Sequence, residues 1–332
     1  MDLQTFLTEW HNESPTVLVH TSGSTGDPKP MWVEKRRMEA SARTTCDFLG
    51  LRHGDTALLC MSLDYIAGKM MVVRSLVCEL RLIVIEPSGN PLATITESLD
   101  FAAMVPMQVW NSLKVPEQRE RLMRIHNLII GGGAIDESLA AELRTFPNAV
   151  WSTYGMTETL SHIALRRLSG PEASDWYTPF DGVHLSLTTD GCLTIDAPAV
   201  HNGLLTTNDI AELLPDGRFK ILGRKDNIIC SGGLKIQAEE VERLLSPHLS
   251  TPYMISKCKD ERFGEIVVLL TEGDTAKAKT TCQHVLPKYW QPRAYLHVDC
   301  LPLTPTGKPA RKEAENILKI ATLTLQTCTF SE

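Results

Sequence analysis

Short apolar runs alternate with helical patterns through the first two thirds of the chain. Buried strands of this kind need helices to cover their faces, so the alternation dictates an α/β architecture. Thr16–His20 and residues 57–61, 82–85 and 128–130 read as buried strands. Lys35–Leu49 and residues 65–80 between them have helical composition, and Asp136 reads as an N-cap ahead of Leu139, Leu143 and Phe146. Leu3, Phe6, Leu7 and Trp10 also follow helical spacing. Over residues 178–222 the pattern changes to short strands with turns at Asp190-Gly191 and Asp216-Gly217, which predicts an antiparallel β subdomain. Beyond residues 224–233, the stripe Ala238, Val241, Leu244, Leu245 and a strand at 266–270 predict a small α+β domain with its own core. The expected organisation is a large domain over 1–224, a small one over 227–332, and a hinge near Asp226.

Length and charge narrow the function. A chain of 332 residues has room for roughly two domains at about 150 residues each. It carries 33 Lys and Arg against 40 Asp and Glu, a net charge of −7. Domains that grip nucleic acid show a basic excess, so small-molecule chemistry is favoured. The most apolar stretch, 57–85, is broken by Asp64, Lys69, Arg74, Glu79 and Arg81. No segment reaches the roughly 20 apolar residues that span a bilayer. Asp2 and Glu9 stand where a secretory signal needs basic and then apolar residues. The nine cysteines show neither zinc nor disulfide spacing. They are expected to be reduced thiols, and the protein cytoplasmic.

The richest chemistry follows the strand Thr16–His20. Thr21, Ser22, Gly23, Ser24, Thr25 and Gly26 are followed by Lys29. Glycines let a loop fold tightly with its N–H groups turned inward, a shape suited to phosphate oxygens. Four hydroxyls and a lysine add donors and charge, so the loop is a candidate triphosphate cradle. Its spacing is not that of a Walker A loop, which ends in Gly-Lys followed by Ser or Thr.

The segment TSGSTGDPKP resembles the phosphate loop of the adenylate-forming enzymes: acyl-CoA synthetases, luciferases and peptide-synthetase adenylation domains. Four further motifs stand in the family's order. Gly131, Gly132, Gly133 and Ala134 resemble its adenine-side turn, and Tyr154-Gly155-Met156-Thr157-Glu158-Thr159 its core motif. Residues 205–224 resemble its aspartate-to-arginine hairpin, and Pro305-Thr306-Gly307-Lys308 its C-terminal lysine loop. The resemblance implies attack of a carboxylate on the α-phosphorus of ATP, then displacement of AMP by a thiol, with ATP, Mg²⁺ and coenzyme A taking part. It implies Glu158 as a Mg²⁺ ligand, Thr157 as a donor to the α-phosphate, and Tyr154 as a stacking partner of adenine beside Gly155. Asp209 and Arg224 would hold the ribose. Lys29 would contact the phosphates, and Lys308 would reach across from the small domain as a catalytic cation. Asp226 aligns with the hinge. Gly232 and Gly233 would leave room for a pantetheine channel, with Lys235 beside it. Where the family reads Thr-Gly-Asp this chain has Thr207-Asn208-Asp209, and asparagine tolerates the positive φ a glycine supplies.

The stretch 154–166, YGMTETLSHIALR, resembles that of 2-succinylbenzoate–CoA ligases of menaquinone biosynthesis, especially compact ones. Such an acid keeps a second carboxylate that the pocket must receive, and Ser161, His162 and Arg166 are the candidates. Another aryl or short-chain acid, or a carrier protein loaded by a stand-alone adenylation domain, are the alternatives. About twenty residues precede the phosphate loop, where the family carries well over a hundred. The leading part of the large domain is therefore expected to be missing.

Overall fold

The computed structural model describes residues 1–20, 30–304 and 309–328, with 321–328 taken through their main chain only. The helix α1 (Leu3–His11) starts at Asp2, whose carboxylate accepts from the Thr5 N–H at 2.8 Å. The strands β1 (Thr16–His20) and β2 (Pro30–Glu34) form a separate antiparallel pair. The alternating segment follows: α2 (Lys35–Leu49), β3 (Thr56–Leu59), α3 (Ile66–Val77), β4 (Arg81–Val84), β5 (Phe101–Met104), α4 (Pro106–Leu113), α5 (Pro116–Met123), β6 (Asn127–Ile130), α6 (Glu137–Arg144) and β7 (Ala149–Gly155). With β8 (His162–Arg167) and β9 (Thr178–Pro179) its strands make a seven-stranded sheet in the order β4-β3-β5-β6-β7-β8-β9. The pairs from β4 to β7 are parallel, and β8 and β9 add antiparallel strands at the end.

Both faces of this sheet are buried. Ala57 and Leu59 of β3 join Phe6, Met38 and Met71 on one face, whereas Leu58 joins Leu122, Leu139 and Leu143 on the other. A strand buried on both sides has no polar face, which is why 57–61 reads as a continuous apolar run.

Four antiparallel strands follow: β10 (His184–Leu187), β11 (Cys192–Asp196), β12 (Leu204–Leu213) and β13 (Phe219–Arg224). Gly191 and Gly217 sit at φ +78° and +87° in the two turns that the Asp-Gly pairs predict. After Arg224 the chain enters another sheet. It comprises β14 (Ile228–Ser231), β15 (Leu234–Gln237), β16 (Tyr253–Asp260), β17 (Gly264–Thr271) and β18 (Ala294–His297). The helices α7 (Ala238–Leu245), α8 (Thr275–Val285) and α9 (Arg311–Cys328) accompany it. Val241 and Leu245 of α7 pack with Leu269, and Ala314 and Leu318 of α9 with Val268 and Leu270.

One expectation is corrected. Cys46 near the end of α2 and Cys78 just after α3 form a disulfide, with Cα atoms 6.9 Å apart. The two helices pack against each other, which brings together cysteines 32 residues apart in sequence. Among the described residues Cys60, Cys192, Cys230, Cys282 and Cys300 are free thiols. Among the described residues no helix is long and apolar enough to cross a membrane.

Candidate active site

The parallel strands of the large sheet end on one side, where open α/β sheets receive ligands. Gly131 follows β6 and donates its N–H to the Met104 carbonyl at 3.0 Å. A Cβ on Gly131 would lie 2.3 Å from Thr153 Oγ1, so the neighbouring strand leaves no room for a side chain. Gly132 holds φ +78°, and Gly133 packs near Pro106. Gly155, at the end of β7, would bring a Cβ within 2.2 Å of the Ser161 carbonyl oxygen. Glycine is thus required where β7 turns back into β8.

The ribose candidates meet in the register of β12 and β13, which sets Asp209 directly across from Arg224. Arg224 donates from Nη1 to Asp209 Oδ1 at 3.0 Å and from Nη2 to Asp226 Oδ2 at 2.9 Å. Burial would lower the Arg224 pKa, but Asp226 and Asp209 outweigh it and raise it. The Asn208 amide donates to both oxygens of Asp226 at 3.2 Å. The asparagine that replaces the family's glycine lies inside β12 without the positive φ expected of it, and its amide ties the Asp209 strand to the segment that opens the last sheet.

Tyr154 completes this group. The alternation of β7 turns its ring inward, where it packs on Phe219 at 5.1 Å and Tyr177 at 5.9 Å. Its hydroxyl donates to Asp209 Oδ2 at 2.7 Å, and 9% of the residue stays accessible. Burial and then the Asp209 charge raise its pKa, so it remains a neutral donor. Its observed contacts position the carboxylate, with little of the ring left open as a platform for a base.

Thr157 and Glu158 lie in a single 3₁₀ turn, Thr157–Thr159, beyond β7. Thr157 is buried and Glu158 exposed. Thr159 closes the turn by accepting from the Met156 N–H at 3.0 Å. His201 donates from Nδ1 to the Glu158 carbonyl at 3.1 Å, which holds the main chain while the carboxylate stays outside. Leu160 follows at φ +64°, a strained conformation for a branched side chain. Among the described residues no group of three or more His, Cys, Asp or Glu gathers as a metal site. A single exposed carboxylate such as Glu158 suits a cation that takes its other oxygens from phosphates and water, as Mg²⁺ does.

The next residues build a buried polar chain. Arg74, projecting from α3, donates from Nη2 to Ser161 Oγ at 2.6 Å. Ser161 Oγ lies 3.2 Å from His162 Nδ1, and His162 Nε2 lies 3.1 Å from Thr45 Oγ1. Thr45 gives its hydroxyl proton to the Ser41 carbonyl at 3.0 Å. One assignment satisfies every member: Ser161 donates to Nδ1, and Nε2–H donates to Thr45. His162 is then neutral. Burial, and next the Arg74 charge, hold its pKa well below the usual histidine value.

Arg74 is the functional candidate that sequence reasoning missed. It is 2% exposed, and burial lowers its pKa to about 10, so it is charged at neutral pH. Its Nε has no hydrogen-bond partner, Nη1 reaches only Met71 Sδ at 3.8 Å, and among the described residues no carboxylate pairs with it. A buried cation without a counter-charge costs several kcal/mol, which an anion brought from outside would recover. The one sequence signal was an arginine, with Lys69 one of two charged residues, in the largely apolar α3.

Arg166 was expected in this group and is elsewhere. The register of β8 places it opposite Ser152, whereas His162 lies opposite Gly155 past a bulge. Its guanidinium sits 5.4 Å over the Tyr177 ring and 3.5 Å from Asp175. Gly232 and Gly233 are the central residues of the β14–β15 hairpin, at φ +57° and +85°. The turn's positive φ values favour glycine or asparagine there, whether or not a channel passes. Lys235 is exposed opposite Cys230. Thr21, Ser22, Gly23, Ser24, Thr25, Gly26, Lys29 and Lys308 lie outside the described residues.

The chain thus joins a two-faced α/β sheet with glycine turns at its strand ends to the Asp209–Arg224 hairpin. The AMP-binding enzyme family profile matches residues 4–185, more than half of the chain, and the chain belongs to that family. It is an acid ligase that works through an adenylate. A solved structure from Dyadobacter fermentans DSM 18053, an acyl-CoA synthetase (AMP-forming)/AMP-acid ligase II-like protein, is 32% identical with a TM-score of 0.64. That match covers 93% of this chain and 91% of the other. The 2-succinylbenzoate–CoA ligase of Bacillus cereus (strain ATCC 10987) is 23% identical over 94% of this chain and 72% of its own length. The o-succinylbenzoate coenzyme A synthetase of Bacillus subtilis, solved in complex with ATP and magnesium ion, is 23% identical with a TM-score of 0.75. It shares the fold over 89% of this chain and 68% of its own.

Proposed function

We propose that the protein converts 2-succinylbenzoate to 2-succinylbenzoyl-CoA at the expense of ATP, in the cytoplasm and within menaquinone biosynthesis. The succinyl carboxylate attacks the α-phosphorus, the bond to the β-phosphate breaks, and pyrophosphate leaves. The thiol of CoA then attacks the acyl carbon, and AMP leaves with the oxygen it gained.

Each residue has a stated part. Asp209, aimed by Tyr154 and Arg224, accepts from the ribose hydroxyls, and the Gly131 to Gly133 turn flanks the base. The glycine-rich loop with Lys29 receives the phosphates. Glu158 would hold Mg²⁺, which would supply charge neutralisation of the phosphates, and Thr157 donates to the α-phosphate. Lys308 stabilises charge that develops during adenylation. The segment from 227 onward then turns about Asp226 and brings Gly232, Gly233 and Lys235 toward the thiol.

The observation that carries the choice of acid is Arg74: a buried guanidinium, joined to Ser161 and His162, with no carboxylate of its own. It suits the ring carboxylate of 2-succinylbenzoate. The test compares this acid with 4-oxo-4-phenylbutanoate, which lacks that group. Wild-type protein is expected to favour 2-succinylbenzoate by about 100-fold in kcat/KM, the worth of one buried charged contact. Arg74→Met is expected to abolish the preference and leave the smaller acid turning over. Equal use of both acids by wild-type protein would contradict the assignment.

A further inference from the structure

β1 is a short strand that, among the described residues, has a strand partner on one side only, and it leads directly into the glycine-rich loop. Its pairing with β2 brings His20 opposite Pro30, so the two strands hold the entry and the exit of residues 21–29. The outer edge of such a strand leaves N–H and C=O groups that need partners. Side chains supply them here. Ser14 Oγ serves both main-chain groups of Thr16, at 3.0 Å and 3.3 Å. The Leu18 N–H donates to Glu9 Oε1 at 3.2 Å, and the Leu18 carbonyl accepts from Lys69 Nζ at 2.5 Å.

The second pair of contacts is unusual in its cost. Lys69 is 2% exposed on α3, with its ammonium 5.5 Å from the Phe6 ring centroid and 3.8 Å from Glu9 Oε2. Glu9 Oε2 is buried and makes no hydrogen bond of its own. Burial lowers the Lys69 pKa, opposed by the charges of Glu9 and Asp64. Desolvating a lysine to pair it with a half-buried glutamate seldom adds net stability over apolar residues of similar volume, so a positional role is the better explanation for it. Its two ends come from helices far apart in sequence and converge on one residue, three before Thr21.

We infer that Glu9 and Lys69 act as positioning residues for ATP: they satisfy the outer edge of β1 and fix the strand that leads into the glycine-rich sequence. The inference rests on the adenylating function proposed above, but its test can be read separately. Binding of ATP with Mg²⁺ is measured by calorimetry for wild-type, Glu9→Gln, Lys69→Met and the double variant, each checked for a cooperative thermal transition. Where pyrophosphate is released, KM values for ATP and for the acid are compared.

Lys69→Met is expected to weaken ATP binding fivefold or more. Glu9→Gln should weaken it less, because glutamine still accepts from the Leu18 N–H. The double variant should be no worse than Lys69→Met, since the pair acts as one unit, and the acid KM should move by less than twofold. Unchanged ATP affinity in a folded Glu9→Gln and a folded Lys69→Met would overturn the inference, as would equal losses for ATP and acid. A wild-type protein that binds ATP and releases no pyrophosphate with any acid would instead count against the adenylating function, leaving the binding comparison to decide the clamp.

Discussion

His162 illustrates how one residue's surroundings set its chemistry. It is buried, bonded on both ring nitrogens, and faces the Arg74 charge, so the folded protein keeps it neutral. The unfolded chain binds a proton near pH 6.5 that the folded chain does not. Stability from this site is therefore complete above that pH and falls as pH drops toward the depressed folded value. The slope should be roughly 1 kcal/mol per pH unit below about pH 6. Urea midpoints at pH 5 and 7 check this: the difference should shrink in His162→Gln, and an equal difference in both proteins would contradict it. Arg74 makes a complementary case. Arg74→Met removes a buried, uncompensated charge, so the unliganded protein should lose no stability while it loses its preference for the diacid. The two residues also show where sequence stops. Ser161 and His162 were legible from their motif, but their partner Arg74 lies 87 residues from Ser161, and nothing local to α3 announces the meeting.

Elements were legible where their pattern is local. α2 and β1 occupy the expected spans because an amphipathic stripe and a short β-branched run each mark their own limits. The Asp209–Arg224 pairing was visible because a hairpin turns separation in sequence into register. Arg166 lies apart from His162 for the opposite reason: it is near in sequence, but an extended strand carries it about 3.3 Å further for every residue. The Cys46–Cys78 bond was hidden because its cause is helix packing rather than spacing. The β14–β15 turn sharpens one reading. A Cβ on Gly233 would meet nothing within 4 Å, yet φ there is +85°. Asparagine tolerates that conformation better than leucine. Gly233→Asn should keep the melting temperature and slow thioester formation about tenfold with adenylation unchanged, an effect equivalent to about 1.4 kcal/mol of barrier. Thioester formation at the wild-type rate would assign the glycine to the turn alone.

At the scale of the whole molecule, the large sheet, the β subdomain and the last sheet meet around Arg224. Asp209, Asp226 and Asn208 are joined there by hydrogen bonds and ion pairs. A hinge between the two proposed half-reactions would act at this junction. If Lys308 acts only in the first, Lys308→Ala should slow adenylation about 100- to 1,000-fold, the usual cost of one preorganised donor. Thioester formation from supplied acyl-adenylate should stay at the wild-type rate, and equal loss of both steps would remove the lysine from its assigned role. The most direct measurement is pyrophosphate release from ATP and Mg²⁺ with 2-succinylbenzoate, benzoate, succinate or a medium-chain fatty acid, with and without CoA, while the thioester is followed by mass. Release specific to 2-succinylbenzoate, with its CoA thioester formed when CoA is present, is the expected result. Release with a different acid alone would contradict the choice of substrate, and release without any thioester would contradict the transfer to CoA.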